Sequence, residues 1–149
     1  MMAAVMMVPS IRTPPWHAQD RTPAFFTQGT YASVLRPGEN VAMITTSRGE
    51  PLLWQASADF WMRVPWGYVG PVTGFYRGIP LAGCLYVERC PAPPSPSKLA
   101  GWLRGRGVTA VVTSDPATER FGPLLRSVSF EPVYEGEGVW VWRPTGTSS

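Results

Sequence analysis

Val108-Thr-Ala-Val-Val-Thr113, followed at once by Ser114-Asp115-Pro116, is the stretch of this chain that decides its fold. Its β-branched and apolar residues leave no solvent face, which is the pattern of a strand buried on both sides and so central in a sheet. Asp115 fits a helix N-cap with proline at the next position, where a missing N–H costs nothing. Phe121 to Val128 then completes a short helix. A strand feeding a helix in this way is the repeating unit of an α/β domain.

The neighbouring segments extend that order in both directions. Pro23-Ala24-Phe25 opens an amphipathic run in which Phe26, Tyr31, Val34 and Leu35 fall near helical spacing, and Arg36-Pro37-Gly38-Glu39 stops it because the residue before proline leaves the α region. Val41 to Thr45 reads as a short buried strand. Pro51 suits a first helical turn, with Leu52, Leu53, Gln55, Ala56 and Ala58 continuing it, and Phe60 to Val64 reads as a strand stopped by Pro65. Residues 65–80 read as a long loop rich in glycine and aromatics. Leu81 to Val87 is strand-like, and the PAPPSPS tract at 91–97 favours an extended conformation. A helix starting near Ser97 carries Leu99, Trp102 and Leu103 on one side and ends at Gly105 and Gly107. Glu131 to Glu135 and Val139 to Arg143 flank Gly136-Glu137-Gly138 as a hairpin.

This order predicts a small three-layer α/β sandwich with a mixed, mainly parallel sheet and a C-terminal antiparallel hairpin. The expected organisation is a membrane-proximal segment and linker over 1–22, one α/β domain over 23–144 and a disordered tail over 145–149.

Composition narrows the function classes. A chain of 149 residues hides roughly 68–70% of its unfolded surface, enough for a core without metals or staples. It carries 17 prolines and 15 glycines, while charged residues make only 15% of it, below the usual share of about 25%. The net charge of +3 is spread along the sequence with no basic run, which argues against a nucleic-acid partner. No stretch reaches the ~20 apolar residues of a membrane span. Met1 to Pro9 (MMAAVMMVP) lacks the basic start of a signal peptide, and fits either the end of a membrane helix or a frayed terminus. Cys84 and Cys90 are six residues apart, about 20 Å in a straight strand, so a disulfide between them requires an intervening turn. They are read as buried small hydrophobes.

Side chains that could carry chemistry are few. His17 is the single histidine and sits in the linker, so neither a nucleophile–histidine pair nor a zinc spacing is available. No metal and no cofactor is expected. Most carboxylates, Glu39 among them, fall in turns or on exposed faces. Asp59 is the exception, lying beside Phe60, Trp61 and Met62, with Arg63 as its expected ion-pair partner or with a capping role. Ser114-Asp115-Pro116 marks a strand-to-helix turn, the usual ligand position in an open α/β sheet, although no glycine-rich fingerprint accompanies it. Aromatics concentrate around the 65–80 loop. Trp54, Gln55, Trp66, Tyr68 and Tyr76 are the candidate binding residues, since flat rings stack on sugars, lipids or a partner surface.

Several short pieces together resemble a known family. These are Phe25-Phe26-Thr-Gln-Gly29, Leu35-Arg-Pro-Gly38, Leu53-Trp54-Gln55-Ala56, Phe60-Trp-Met62, Gly67-Tyr68-Val-Gly70-Pro71, Gly107-Val108 and the closing Tyr134 to Trp142 hairpin. The chain resembles, over residues 23–143, the soluble C-terminal domain of actinobacterial-type polytopic membrane glycosyltransferases of the GT-C class. Trp66 departs from the pattern, standing where the family has the first of two glycines. The resemblance implies a non-catalytic extracytoplasmic domain of an enzyme that takes sugar from a polyprenyl-phosphate donor. It also implies partnership with the membrane-embedded part of that enzyme and contact with an acceptor glycan. The family's catalytic acid lies in a loop between membrane helices, outside these residues. A free-standing α/β binding or interaction module, small-molecule or carbohydrate in specificity, is the competing expectation.

Overall fold

A computed structural model describes residues 22–45, 49–65 and 93–146. The elements in chain order are α1 (Ala24–Thr27), α2 (Tyr31–Val34), β1 (Val41–Ile44), α3 (Glu50–Ser57), α4 (Pro96–Gly105), β2 (Ala110–Ser114), α5 (Asp115–Ser127), β3 (Phe130–Gly136) and β4 (Val139–Pro144). The strands form one mixed sheet in the order β1-β2-β4-β3, so the chain has the expected α/β fold with β2 inside the sheet. β1 pairs with β2 in parallel, Val41 opposite Ala110, and the other two ladders are antiparallel. The strand expected over 81–87 lies outside the described residues.

β1 and the first residues of β2 are buried because they leave nothing polar to solvate: Val41 to Ile44 and Ala110 to Val112 are all fully enclosed, and Thr113 and Ser114 continue β2 as buried polar residues. In β4 the alternation splits two apolar sets. Trp142 faces α5, where Gly122 comes so close that an added Cβ would meet the indole at 3.2 Å. Val141 and Arg143 point to the other face with Tyr134, whose ring lies 5.1 Å from that of Phe25 in α1. Gly122 is therefore a packing residue, and it lets the long helix lie against the indole.

α5 runs the full 13 residues from Asp115, with Ser114 as its N-cap, one position earlier than the sequence suggests. Pro116 sits in the first turn, Asp115 and Arg126 complement the two ends of the helix dipole, and Pro123 removes one internal hydrogen bond without ending the helix. The hairpin forms as expected. Gly136 pairs with Val139, and Glu137 and Gly138 both have positive φ, 52° and 83°, as a two-residue turn matching the strand twist requires. Val133 is the extra residue of a bulge between Pro132 and Tyr134, on the edge strand where a proline is tolerated.

Three expectations are corrected. Among the described strands the sheet is mixed but not mainly parallel, because the C-terminal hairpin supplies two of its four strands and both of its antiparallel ladders. The single helix after Pro23 is two one-turn helices, because Gly29 takes a left-handed φ of 82° between them. The strand expected over 60–64 shrinks to one parallel bridge, Arg63 to Asn40. Asp59 and Phe60 are themselves left-handed, with φ of 47° and 55°, and fold the end of α3 into a tight turn. Among the described residues no helix is long and apolar enough to cross a membrane.

Candidate functional site

The residues chosen from sequence divide into three groups. Trp66, Tyr68 and Tyr76 lie outside the described residues, as do His17, Cys84 and Cys90. Trp54 is 1% exposed and stacks on Phe26 at 5.1 Å between ring centroids, so it belongs to the core and offers no face to a ligand. Gln55 is half-buried and donates from Nε2 to the carbonyl of Met62 at 3.1 Å. Together with Phe60 N–H to the Gln55 carbonyl, this bond clamps the left-handed turn. Its amide is a lock on the chain.

Asp59 is exposed on that turn and forms no ion pair with Arg63, which is also exposed. The partner that a buried carboxylate would demand is unnecessary here, since the turn carries Asp59 out of the apolar cluster. The buried carboxylate is Glu39. Its side chain is 6% exposed and forms a two-pronged pair with Arg143, Nη1 to Oε2 at 3.0 Å and Nη2 to Oε1 at 3.1 Å. It also accepts from the backbone N–H of Arg36 at 2.6 Å and from Thr109 Oγ1 at 3.0 Å. Arg143 Nη2 reaches on to the Val34 carbonyl at 2.8 Å. With its acceptor positions filled by protein donors, Glu39 ties α2, β1, β2 and β4 together as a structural link. Nothing near Glu39 in sequence announces this, because Arg143 lies 104 residues away.

At the opposite end of the parallel pair a polar relay enters α5. Trp142 Nε1 donates to Thr113 Oγ1 at 3.0 Å, Thr113 and Thr118 share a short hydroxyl–hydroxyl bond, and Thr118 Oγ1 donates to the Ser114 carbonyl at 3.0 Å. Thr118 spends its proton on Ser114, so Thr113 must donate to Thr118 and accept from the indole. Ser114 Oγ is buried and has no partner, although the residue occupies the cap position of α5. Tyr134, near the hairpin tip, has its phenol held above its ordinary value of 10.0, first by burial, then by the charge of Glu137 and the hydrogen bond to it.

A third location is a groove of about 520 Å³ between α4 and the turn joining α5 to β3. Leu103, Val108 and Phe130 form its apolar floor, Ala100 and Pro144 its sides, and Arg104 is the one charged side chain among the described residues lining it. Among the described residues no three His, Cys, Asp or Glu side chains converge to hold a metal. Scans against protein families, curated proteins and solved structures find no match to this chain.

Proposed function

We propose that this chain is the non-catalytic, extracytoplasmic C-terminal domain of a polytopic membrane glycosyltransferase that uses a polyprenyl-phosphate-linked sugar, and that it assists acceptor glycan binding or assembly. The observation supporting this reading is that separated pieces of the resemblance meet in one cluster. Phe26 of the first piece stacks on Trp54 of the third. Gln55 holds the Met62 carbonyl, Trp61 Nε1 donates to the Leu35 carbonyl at 3.0 Å, and Gly38 N–H donates to the Trp61 carbonyl at 2.6 Å. Residues that depend on one another in this way form a scaffold, and a scaffold signature is what an accessory domain would carry in common with its relatives. In this reading the reacting carboxylate comes from the membrane-embedded part of the enzyme, and the aromatic-rich segment that contains Trp66, Tyr68 and Tyr76 meets glycan or that membrane part.

The test has two arms. Genomic sequence upstream of Met1 is expected to continue in frame through several apolar spans, and the purified 149-residue chain is expected to turn over no polyprenyl-linked sugar. An in-frame stop codon immediately upstream, or transfer or hydrolysis by the isolated chain, overturns the proposal.

A further inference from the structure

The carboxyl end of the parallel pair β1–β2 combines a split in the chain path with an unspent hydroxyl. α3, which follows β1, belongs with α1 to one face of the sheet, since Phe26 of α1 stacks on Trp54 while Phe25 meets Tyr134. α5, which follows β2, covers the other face, where Thr118 bonds Thr113 and Gly122 lies against Trp142. When two neighbouring parallel strands send their chains to opposite faces, a crevice opens at their carboxyl ends, and open α/β sheets bind ligands there. The buried hydroxyl residues among those described, Thr45, Thr113 and Ser114, all gather at this end. Thr113 is spent between Trp142 and Thr118. Ser114 is not: the residue is 8% exposed and its Oγ has no partner, although its φ of -71° and ψ of 157° are those of a capping residue.

We infer that this crevice binds the vicinal diol of a neutral sugar ring, with Ser114 and Asp115 at the start of α5 as its contacts. A helix N-terminus ordinarily favours an anion, but here Pro116 contributes no N–H and Asp115 sets a carboxylate at the first helical position, so a phosphate is repelled. That carboxylate is exposed and makes no hydrogen bond or ion pair among the described residues. It is an acceptor that calls for a donor. A hydroxyl both donates and accepts. One hydroxyl of the diol donates to the Asp115 carboxylate, and its neighbour bonds Ser114 Oγ beside the first-turn N–H groups, which have no partner within the helix. The serine side chain turns about a single bond between staggered positions, so its hydroxyl reaches the crevice without a backbone shift. A carboxylate set against a sugar diol at the carboxyl end of the strands is also how dinucleotide-binding sheets hold ribose. The ribose of a nucleoside and a residue of a glycan share this chemistry. The inference uses this end of the sheet alone, so it stands or falls separately from the glycosyltransferase reading.

The test follows amide NMR shifts of the full 149-residue chain as methyl ribofuranoside, methyl deoxyribofuranoside, uridine and inorganic phosphate are added in turn. The riboside is expected to shift Ser114, Asp115, Ala117 and Thr118, and to bind roughly tenfold tighter than the deoxy sugar, in line with one hydrogen bond to a charged group. Asp115→Asn should weaken the riboside by a similar factor. Ser114→Ala should also weaken it while the fold keeps or gains stability, which separates loss of the site from loss of structure. Uridine binding much tighter than the riboside supports the site and marks a nucleoside as the source of the diol, whereas equal binding supports it and marks a glycan residue. No shift at these residues with either, equal affinity for the deoxy sugar, or unchanged affinity in Asp115→Asn overturns the proposal. Phosphate binding that tightens in Asp115→Asn, without binding of the riboside, overturns it in favour of an anion site.

Discussion

The two ends of the parallel pair β1–β2 are built on opposite principles. At the end where both strands begin, Glu39 is saturated by Arg143, Thr109 and the Arg36 backbone. Asn40 adds a bond to the Arg106 carbonyl at 3.1 Å. At the end where both strands finish, Ser114 Oγ is buried with no partner and α5 starts without a side-chain cap. A saturated polar cluster fixes geometry and resists exchange, whereas an unmade bond leaves a desolvated group that is costly. The first end therefore reads as the clasp of the fold, and the second as the weaker closure.

The largest expected effect lies at the clasp. Glu39→Ala leaves the Arg143 guanidinium mostly buried without its counter-charge, and breaking a buried pair from one side is far costlier than replacing both partners. Arg143 retains some solvent access, 22% of its side chain, so the loss expected in urea unfolding falls at or just below the low end of the usual range of about 3–5 kcal/mol, roughly 2–3 kcal/mol. The double variant Glu39→Leu/Arg143→Met should recover a large part of it. A single-variant loss no greater than that of an exposed pair, below about 1 kcal/mol, would break the contrast between the two ends.

That clasp is also the clearest measure of what local sequence carries. β2, α5 and the hairpin were legible because their causes lie within a few residues: a β-branched run, a proline in the first helical turn, and a two-residue turn ending in glycine. From sequence Glu39 reads as a turn carboxylate because its partner sits on a strand 104 residues later, and no spacing encodes that meeting. The Asp59–Arg63 pairing failed for a different reason. Two consecutive left-handed residues reverse the chain there; aspartate is among the residue types enriched in that conformation, but the bulky Phe60 beside it is not, so nothing local announces the pair. The sequence marks Trp54 and Gln55 as candidate binding residues, whereas in the fold both make internal contacts. An indole can stack on a sugar or on a phenyl ring, and only the tertiary arrangement brings Phe26 to it.

The next effect is smaller and of opposite expectation. A working serine N-cap typically costs about 0.5–2 kcal/mol when replaced by alanine. Ser114 Oγ makes no bond to lose, and removing a buried unsatisfied group relieves its desolvation, so Ser114→Ala is expected to be neutral or to stabilise by up to about 1 kcal/mol. Thermal unfolding of the variant beside the parent chain decides it. A loss near 1 kcal/mol, comparable to an ordinary cap, would mean that the hydroxyl is bonded in solution and that the second end is closed as firmly as the first.

The smallest effect concerns the hairpin tip, beside Ser114 through the pairing of Ser114 with Val139 and of Val139 with Gly136. Tyr134 is neutral at pH 7 and its phenol is raised above 10.0, by burial first and by Glu137 second. The sign follows from which state ionises first. Below the unfolded value the phenol is protonated in both states and the Glu137 contact is intact. As pH rises past it the unfolded chain releases its proton while the folded one holds it, and stability falls until the pH has passed through the raised folded value. Tyr134→Phe removes that one titration, so its stability should decline less steeply than the parent's between pH 9 and the alkaline limit, with urea unfolding at a series of pH values as the measurement. Glu137→Gln should act in the same direction but less, because it leaves the larger cause, burial, in place. Identical alkaline limbs in the parent and Tyr134→Phe would mean that the phenol at this end is as free as in the unfolded chain, and that the tip closes over nothing.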